Sequence, residues 1–185
     1  MSAARLFAAL RPPAYARDDL IEKLSGLNIS RRQLVPNDDW HVTVAFIGSV
    51  HAEAFHRVAT AVAETARQVP RQMSLLLAGG GRFDRGGRNI VHVGVDGDVA
   101  ALTRMAADLD ARLGRVGFPG KERTYVPHVT VSYVHDCLSE REIAADVEVL
   151  EKYRGPRWVA TDLVLYRSQT RSAARYEQLR RYVLP

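Results

Sequence analysis

The tetrapeptide His-Val-Thr-Val occurs twice, as His41-Val42-Thr43-Val44 within Trp40 to Gly48 and as His128-Val129-Thr130-Val131 within Pro127 to Val134. Both copies are apolar and β-branched, which reads as strand. Side chains alternate faces along a strand, so His and Thr, two positions apart, share one face while the valines take the other. Each copy therefore presents an imidazole and a hydroxyl side by side. The separation, 128 − 41 = 87 positions, is close to half of the 185-residue chain. That spacing implies two similar lobes, each offering one His/Thr pair to a cleft between them. Two exposed strands with unrelated histidines are the plainer reading, and identity at all four positions argues against it.

Working outward, the flanking segments repeat as well. Residues 4 to 10 read as a strand stopped by Pro12-Pro13, and Ala14 to Leu24 as a helix with Leu20, Ile21 and Leu24 inward and Gly26 as its stop. Pro36-Asn37-Asp38-Asp39 leads into the first motif strand, about 40 to 47, closed by Gly48. His51 to Gln68 follows as a helix with Phe55, Val58, Ala59 and Val62 on one face, then a strand at 72 to 78. Gly79-Gly80-Gly81 and the arginine-rich stretch Arg82 to Arg88 read as a link. Beyond it the order restarts: strand Asn89 to Val95, helix Val99 to Leu113 with Leu102, Met105, Ala106 and Leu109 inward, and the second motif strand at about 125 to 134. A helix then begins near Ser139, where Glu142 completes a capping box, and strands at 157 to 166 and 175 to 183 close the chain. The fold class is α+β: one bilobal domain over residues 1–185, with approximate half-repeats 1–80 and 88–185. Its two pseudo-symmetric β-α-β-α-β lobes have mostly antiparallel sheets lining a central cleft, with helices outside.

Composition narrows the setting. The chain is 46% hydrophobic, ordinary for a globular protein, and its single cysteine, Cys137, excludes an intramolecular disulfide framework. No CxxC or Cys/His cluster suggests zinc, and a reducing cytoplasm is the expected location. The opening MSAARLFAALRPP is broken by Arg11-Pro12-Pro13 too early for a secretory core, and no run approaches the ~20 apolar residues that span a bilayer. The net charge is +5, almost all from arginine, with lysine only at Lys23, Lys121 and Lys152. Arginine's planar fork suits phosphate, although a GC-rich genome also writes arginine-rich chains. The charge thus favours a polyanionic partner without requiring one.

Two histidines on opposite walls of a cleft make a general acid and a general base, since imidazole, with an unperturbed pKa near ~6.5, serves either role near neutrality. Threonine hydroxyls between them can donate to the non-bridging oxygens of a phosphate and steady charge in the transition state. This is the chemistry of metal-free phosphodiester cleavage. A metal site fits poorly, because each histidine is accompanied by threonine rather than carboxylate or thiolate. His51 and His56, five apart, miss the one-face spacing of a helical ligand pair and read as solvated; His135 reads as a loop residue. The residues alone leave open which motif histidine is the acid.

WHVTVAFIG, PHVTVSYV, the opening RLFAAL, LLLAGGGRF and the closing LVLYRSQT…YEQLRRYVL together resemble the 2H phosphoesterases, named for two His-x-Thr-x motifs. Within them the chain looks most like the bacterial and archaeal RNA 2′,3′-cyclic phosphodiesterases, also called 2′-5′ RNA ligases. The resemblance implies metal-independent hydrolysis of RNA or nucleoside 2′,3′-cyclic phosphates to 2′-phosphates, with no cofactor. It implies His41 as proton donor, His128 as proton acceptor, and Thr43 and Thr130 on the phosphate. RNA ends or cyclic nucleotides are the implied partners, with no membrane and no obligate protein partner, and a monomer is expected. An RNA-end-binding or tRNA-half-joining protein using the same groove is the alternative. Family members commonly carry an arginine after the second motif where this chain has Ser132 and Tyr133; Tyr133 is a candidate substrate contact, and Arg82, Arg85, Arg88 or Arg123 a replacement cation. His92 stands where a tryptophan is common and could stack on a base.

Overall fold

The computed structural model describes residues 3–29, 34–84, 89–120, 124–134, 138–169 and 175–185. In chain order the elements are β1 (Ala4–Leu10), α1 (Ala14–Leu24), β2 (Val42–Val50), α2 (Phe55–Gln68), β3 (Ser74–Asp84), β4 (Asn89–Gly97), α3 (Val99–Arg115), β5 (His128–Val134), α4 (Glu140–Glu151), β6 (Trp158–Val159), β7 (Asp162–Ser168) and β8 (Tyr176–Val183). Two four-stranded sheets result, ordered β2-β1-β7-β8 and β5-β4-β3-β6, and every strand pairing is antiparallel.

The α+β architecture with two lobes is therefore as the sequence implies, but the lobes are not the two contiguous halves. The third strand of each half crosses to the other sheet: β3 lies beside β4, and β7 beside β1. The orders β2-β1-β7 and β5-β4-β3 correspond position for position, so the internal repeat survives as an exchange of strands. Helices follow the same exchange, with α2 and α3 packing on the sheet of β2, β7 and β8, and α1 and α4 on β3. Motif strands β2 and β5 meet where the lobes join.

Burial follows the amphipathic spacing. Leu102, Met105, Ala106 and Leu109 of α3 are buried as read, as are Val58, Ala59 and Val62 of α2. In α1 the inward residues are Ala16, Leu20 and Leu24, whereas Ile21 is exposed. Ser139 caps α4 with the reciprocal Glu142 box. The buried carboxylate of Asp146 accepts hydrogen bonds from the amides of Asn28 and Ile29 at 2.9 Å, pinning the segment after α1 against α4.

Three of the differences from the sequence reading have a tertiary reason. Gly48 does not close β2; it takes φ +88° beside a register shift, and the strand continues to Val50. The three glycines are not a link but the middle of β3, where a Cβ on Gly80 would come within 2.3 Å of the Leu150 Cβ on α4. A helix presses on Gly80 and the His92 imidazole on Gly81, while Gly79 takes φ +72° in open space. The stretch at 157 to 166 is two strands, since the chain leaves one sheet after Val159 and joins the other at Asp162.

A two-histidine cleft

The motif histidines sit at the mouths of β2 and β5, each following a buried or turned anchor. Trp40, 2% exposed, fixes the backbone before His41. His41 Nδ1 lies 2.6 Å from the carbonyl oxygen of Asp39, and His128 Nδ1 lies 2.7 Å from that of Val126. A carbonyl only accepts, so in both rings Nδ1 carries the hydrogen. In the neutral imidazole Nε2 is thereby the basic nitrogen of each ring, and the two-residue offset is the same in both lobes.

A β-bulge follows each motif. Ala9 pairs with Thr43 but Ala8 with Ala45, and His92 pairs with Thr130 but Val91 with Ser132. One extra residue reverses the alternation. On the first sheet His41, Thr43 and Phe46 consequently share the cleft face, and on the second His128, Thr130 and Tyr133 do. Thr43, Thr130 and Tyr133 are half-buried, and Phe46 is 57% exposed. Simple alternation hides Phe46; the legible sign was an aromatic residue three places after each motif threonine.

Aromatic rings hold both imidazoles. His41 lies 4.8 Å from Phe7 and edge-on to Tyr176 at 5.0 Å, and Tyr166 stacks on Phe7 at 5.2 Å. His128 lies edge-on to Phe83 at 5.0 Å and to His92 at 5.2 Å, and those two rings stack on each other at 4.1 Å. Glycine makes this possible: a Cβ on Gly81 would stand 2.7 Å from two atoms of the His92 ring.

Electrostatics follow the burial. Desolvation lowers the His41 pKa, opposed by the Asp39 carbonyl and reinforced by the charge of His128. His92 is pushed down to about 4, first by burial and then by His128, so it is neutral near pH 7. Tyr176 is pushed up to about 12 by burial, with smaller contributions from Tyr133 and Asp39. Across the join, Tyr125 Oη donates to the Thr43 carbonyl at 2.9 Å, and the Val35 amide to the Val131 carbonyl at 2.8 Å. Both motif strands are thus tied to the opposite half of the chain.

The other candidates divide. His92 lies on the cleft face but is only 8% exposed under Phe83, so it supports His128 rather than offering a face to a base. Arg82 pairs with Val91 on the helix-side register and forms an ion pair with Glu140 of α4, which sets it apart from the histidines. Arg85, Arg88, Arg123 and His135 lie outside the described residues. Among the described residues no three His, Cys, Asp or Glu side chains gather as a metal-binding group, and no helix is long and apolar enough to cross a membrane. A hollow of about 310 Å³ between α2 and α3 lies on the outer surface, lined by Arg57, Glu64 and Arg112, away from the motifs.

The chain is similar to the RNA 2′,3′-cyclic phosphodiesterase of Geobacillus stearothermophilus, 28% identical over 156 residues, which are 83% of this chain and 48% of that protein. It thus spans about half the length of that relative. It is 22% identical over 165 residues to the protein of the same description from Methanocaldococcus jannaschii, covering 89% of this chain and 91% of that one. In fold it is similar to E. coli LigT, with TM-score 0.74 and 23% identity over 100% of this chain and 99% of that one. It is also similar to TT0787 of Thermus thermophilus, with TM-score 0.78 and 21% identity over 97% of each. Residues 11–171 match the 2′-5′ RNA ligase superfamily as a whole, and the chain belongs to that family.

Proposed function

We propose that the protein hydrolyses 2′,3′-cyclic phosphate ends of RNA or of nucleotides to 2′-phosphates without a metal. The observation that carries this reading is the matched pair of imidazoles, each with Nδ1–H committed to a carbonyl two residues back, which makes Nε2 the proton-transfer atom. In the proposed step the neutral Nε2 of His128 takes a proton from water as the water oxygen bonds to phosphorus. The P–O3′ bond breaks on the opposite side, and protonated Nε2 of His41 delivers its proton to the leaving O3′. Assignment of His41 as donor and O3′ as leaving group rests on the family resemblance. Burial by itself favours the neutral form of His41, and the anionic phosphate supplies the charge that favours its protonated form.

Thr43 and Thr130, one from each wall, are placed to donate to the two non-bridging oxygens as negative charge builds there. Phe46 and Tyr133 offer flat faces at the rim on which a base can stack. Curated relatives described as RNA 2′,3′-cyclic phosphodiesterases, and a structure of E. coli LigT with 3′-AMP, support a nucleotide in this cleft.

The test is turnover of 2′,3′-cyclic AMP, with products separated against 2′-AMP and 3′-AMP standards. His41→Ala and His128→Ala are each expected to lower kcat by roughly 10²- to 10⁴-fold with the fold retained, and EDTA to leave the rate unchanged. Full activity in either folded variant, or loss in EDTA restored by added metal, refutes the two-histidine mechanism. Mainly 3′-AMP reverses the sugar orientation.

A further inference from the structure

Beside His41 the cleft face of the first sheet opens into a pocket of about 290 Å³, lined by Arg11, Arg17, Tyr166, Gln178 and Arg181 with Asp162 at its edge. It is continuous with the catalytic face. Tyr166 is one wall, and its ring lies 6.3 Å from that of His41. Register places Val164 opposite Ala9 and Arg181 opposite Val164, so these residues share the face that carries Thr43 through its pairing with Ala9. Arg180, one residue away, points to the other side, over the ring of Phe55 on α2 at 5.2 Å.

The charge balance of this pocket favours an anion. Arg11 and Arg17 share one carboxylate, Asp38, at 2.8 and 3.0 Å, and Asp38 is 82% exposed. Arg181 pairs with Asp162 at 2.6 Å, which neutralises the one carboxylate that lines the pocket. Three guanidinium groups thus meet two carboxylates. Arg17 is 12% exposed, and its Nε is buried with no hydrogen-bond partner, an unmet donor of the kind that is costly to bury. Gln178 and Thr161 add neutral polar groups to the same lining. Guanidinium forks around a polar hollow suit phosphate oxygens better than a base or a sugar.

We propose that this pocket binds the phosphate on the 5′ side of the nucleotide whose cyclic phosphate is cleaved. The inference rests on the phosphodiesterase reading and deepens it: the preferred substrate carries a second phosphate, and a bare cyclic nucleoside phosphate leaves Arg11, Arg17 and Arg181 without their ligand. A 5′-terminal phosphate and the next phosphodiester of a strand offer the same chemistry here.

Three substrates test it: 2′,3′-cyclic AMP, the same nucleotide with a 5′-phosphate, and the dinucleotide ApA ending in a 2′,3′-cyclic phosphate. The wild-type protein is expected to show kcat/KM roughly 10- to 100-fold higher for the second or third than for the first, the size of one or two charge-assisted contacts. Gain in both assigns the pocket to any 5′-phosphate; gain only in the dinucleotide assigns it to a strand. Arg11→Ser combined with Arg181→Gln is expected to bring that ratio to within about threefold of one and to flatten the salt dependence of the phosphorylated substrates. Arg11→Ser alone, at an exposed position, keeps the experiment decisive if the double variant does not fold. A wild-type ratio near one, or a ratio unmoved in folded variants, overturns the inference while leaving the cleavage reading intact. Absence of turnover with all three substrates sinks the cleavage reading and the inference together.

Discussion

Gly81→Ala tests whether the rings around His128 set its position. A Cβ at this site would lie 2.7 Å from Cε1 and Nε2 of His92, and ordinary contact begins at 3.4 Å, so the His92 ring must retreat by about 0.7 Å. It has nowhere empty to go. Phe83 stacks on it at 4.1 Å with 9° between the planes, and His128 stands 5.2 Å away. Overpacking of this kind costs about 1–3 kcal/mol of stability. The larger effect falls on chemistry, because a displacement approaching 1 Å in an aligned catalytic group costs on the order of 10²-fold. Gly81→Ala is therefore expected to fold, to melt at lower temperature, and to lose roughly 10- to 100-fold in kcat for 2′,3′-cyclic AMP. Initial rates beside near-ultraviolet circular dichroism measure both. Adding His92→Ala makes room for the methyl group, so His92→Ala should lower kcat less in the Gly81→Ala background than in the wild type, a coupling that a general loss of stability does not produce. A well-folded Gly81→Ala with wild-type kcat would show that the Phe83–His92 stack does not orient His128.

Two further outcomes follow from the same geometry. The folded pKa of His92, about 4, lies below its ordinary 6.5, so between those values the unfolded chain binds more protons. Its contribution to stability is present above pH 6.5 and is lost as pH falls through that window, by at most about 3 kcal/mol at ~1.4 kcal/mol per pKa unit. Urea titrations at pH 7 and pH 4.5 should show this loss, and His92→Phe should shrink it; an equal loss in both proteins would place the acid sensitivity elsewhere. Tyr125→Phe removes the donor to the Thr43 carbonyl and should cost about 0.5–1.5 kcal/mol, with a several-fold fall in kcat; unchanged kcat would mean that the lobes keep their register without it.

Sequence carried the site further than it carried the topology. His41, Thr43, His128 and Thr130 stand out as a candidate set because a strand's alternation and a four-residue repeat are local facts, and the capping box of Ser139 and Glu142 was legible for the same reason. The bulges were not. They depend on partners in β1 and β4, and they bring Phe46 and Tyr133 onto the cleft face three residues after each threonine. The glycines of β3 carry no pattern, and the reasons for Gly80 and Gly81, Leu150 and His92, lie 70 and 11 positions away. Arg11, Arg17 and Arg181 lie far apart in sequence and come together through the pairing of β1 with β7 and of β7 with β8.

That pairing also dictates when, during synthesis, a catalytic arrangement can exist. Pairs within the second sheet up to β5 close loops inside residues 74–134, so that wall can form early. The first wall needs Phe7 opposite Tyr166, which joins nearly the whole length of the chain. Until the last strands leave the ribosome, β1 presents a bare edge, and Tyr166 and Tyr176 are not there to pack around Phe7 and His41. The nascent chain thus carries both motifs before β7 and β8 complete the wall that holds His41.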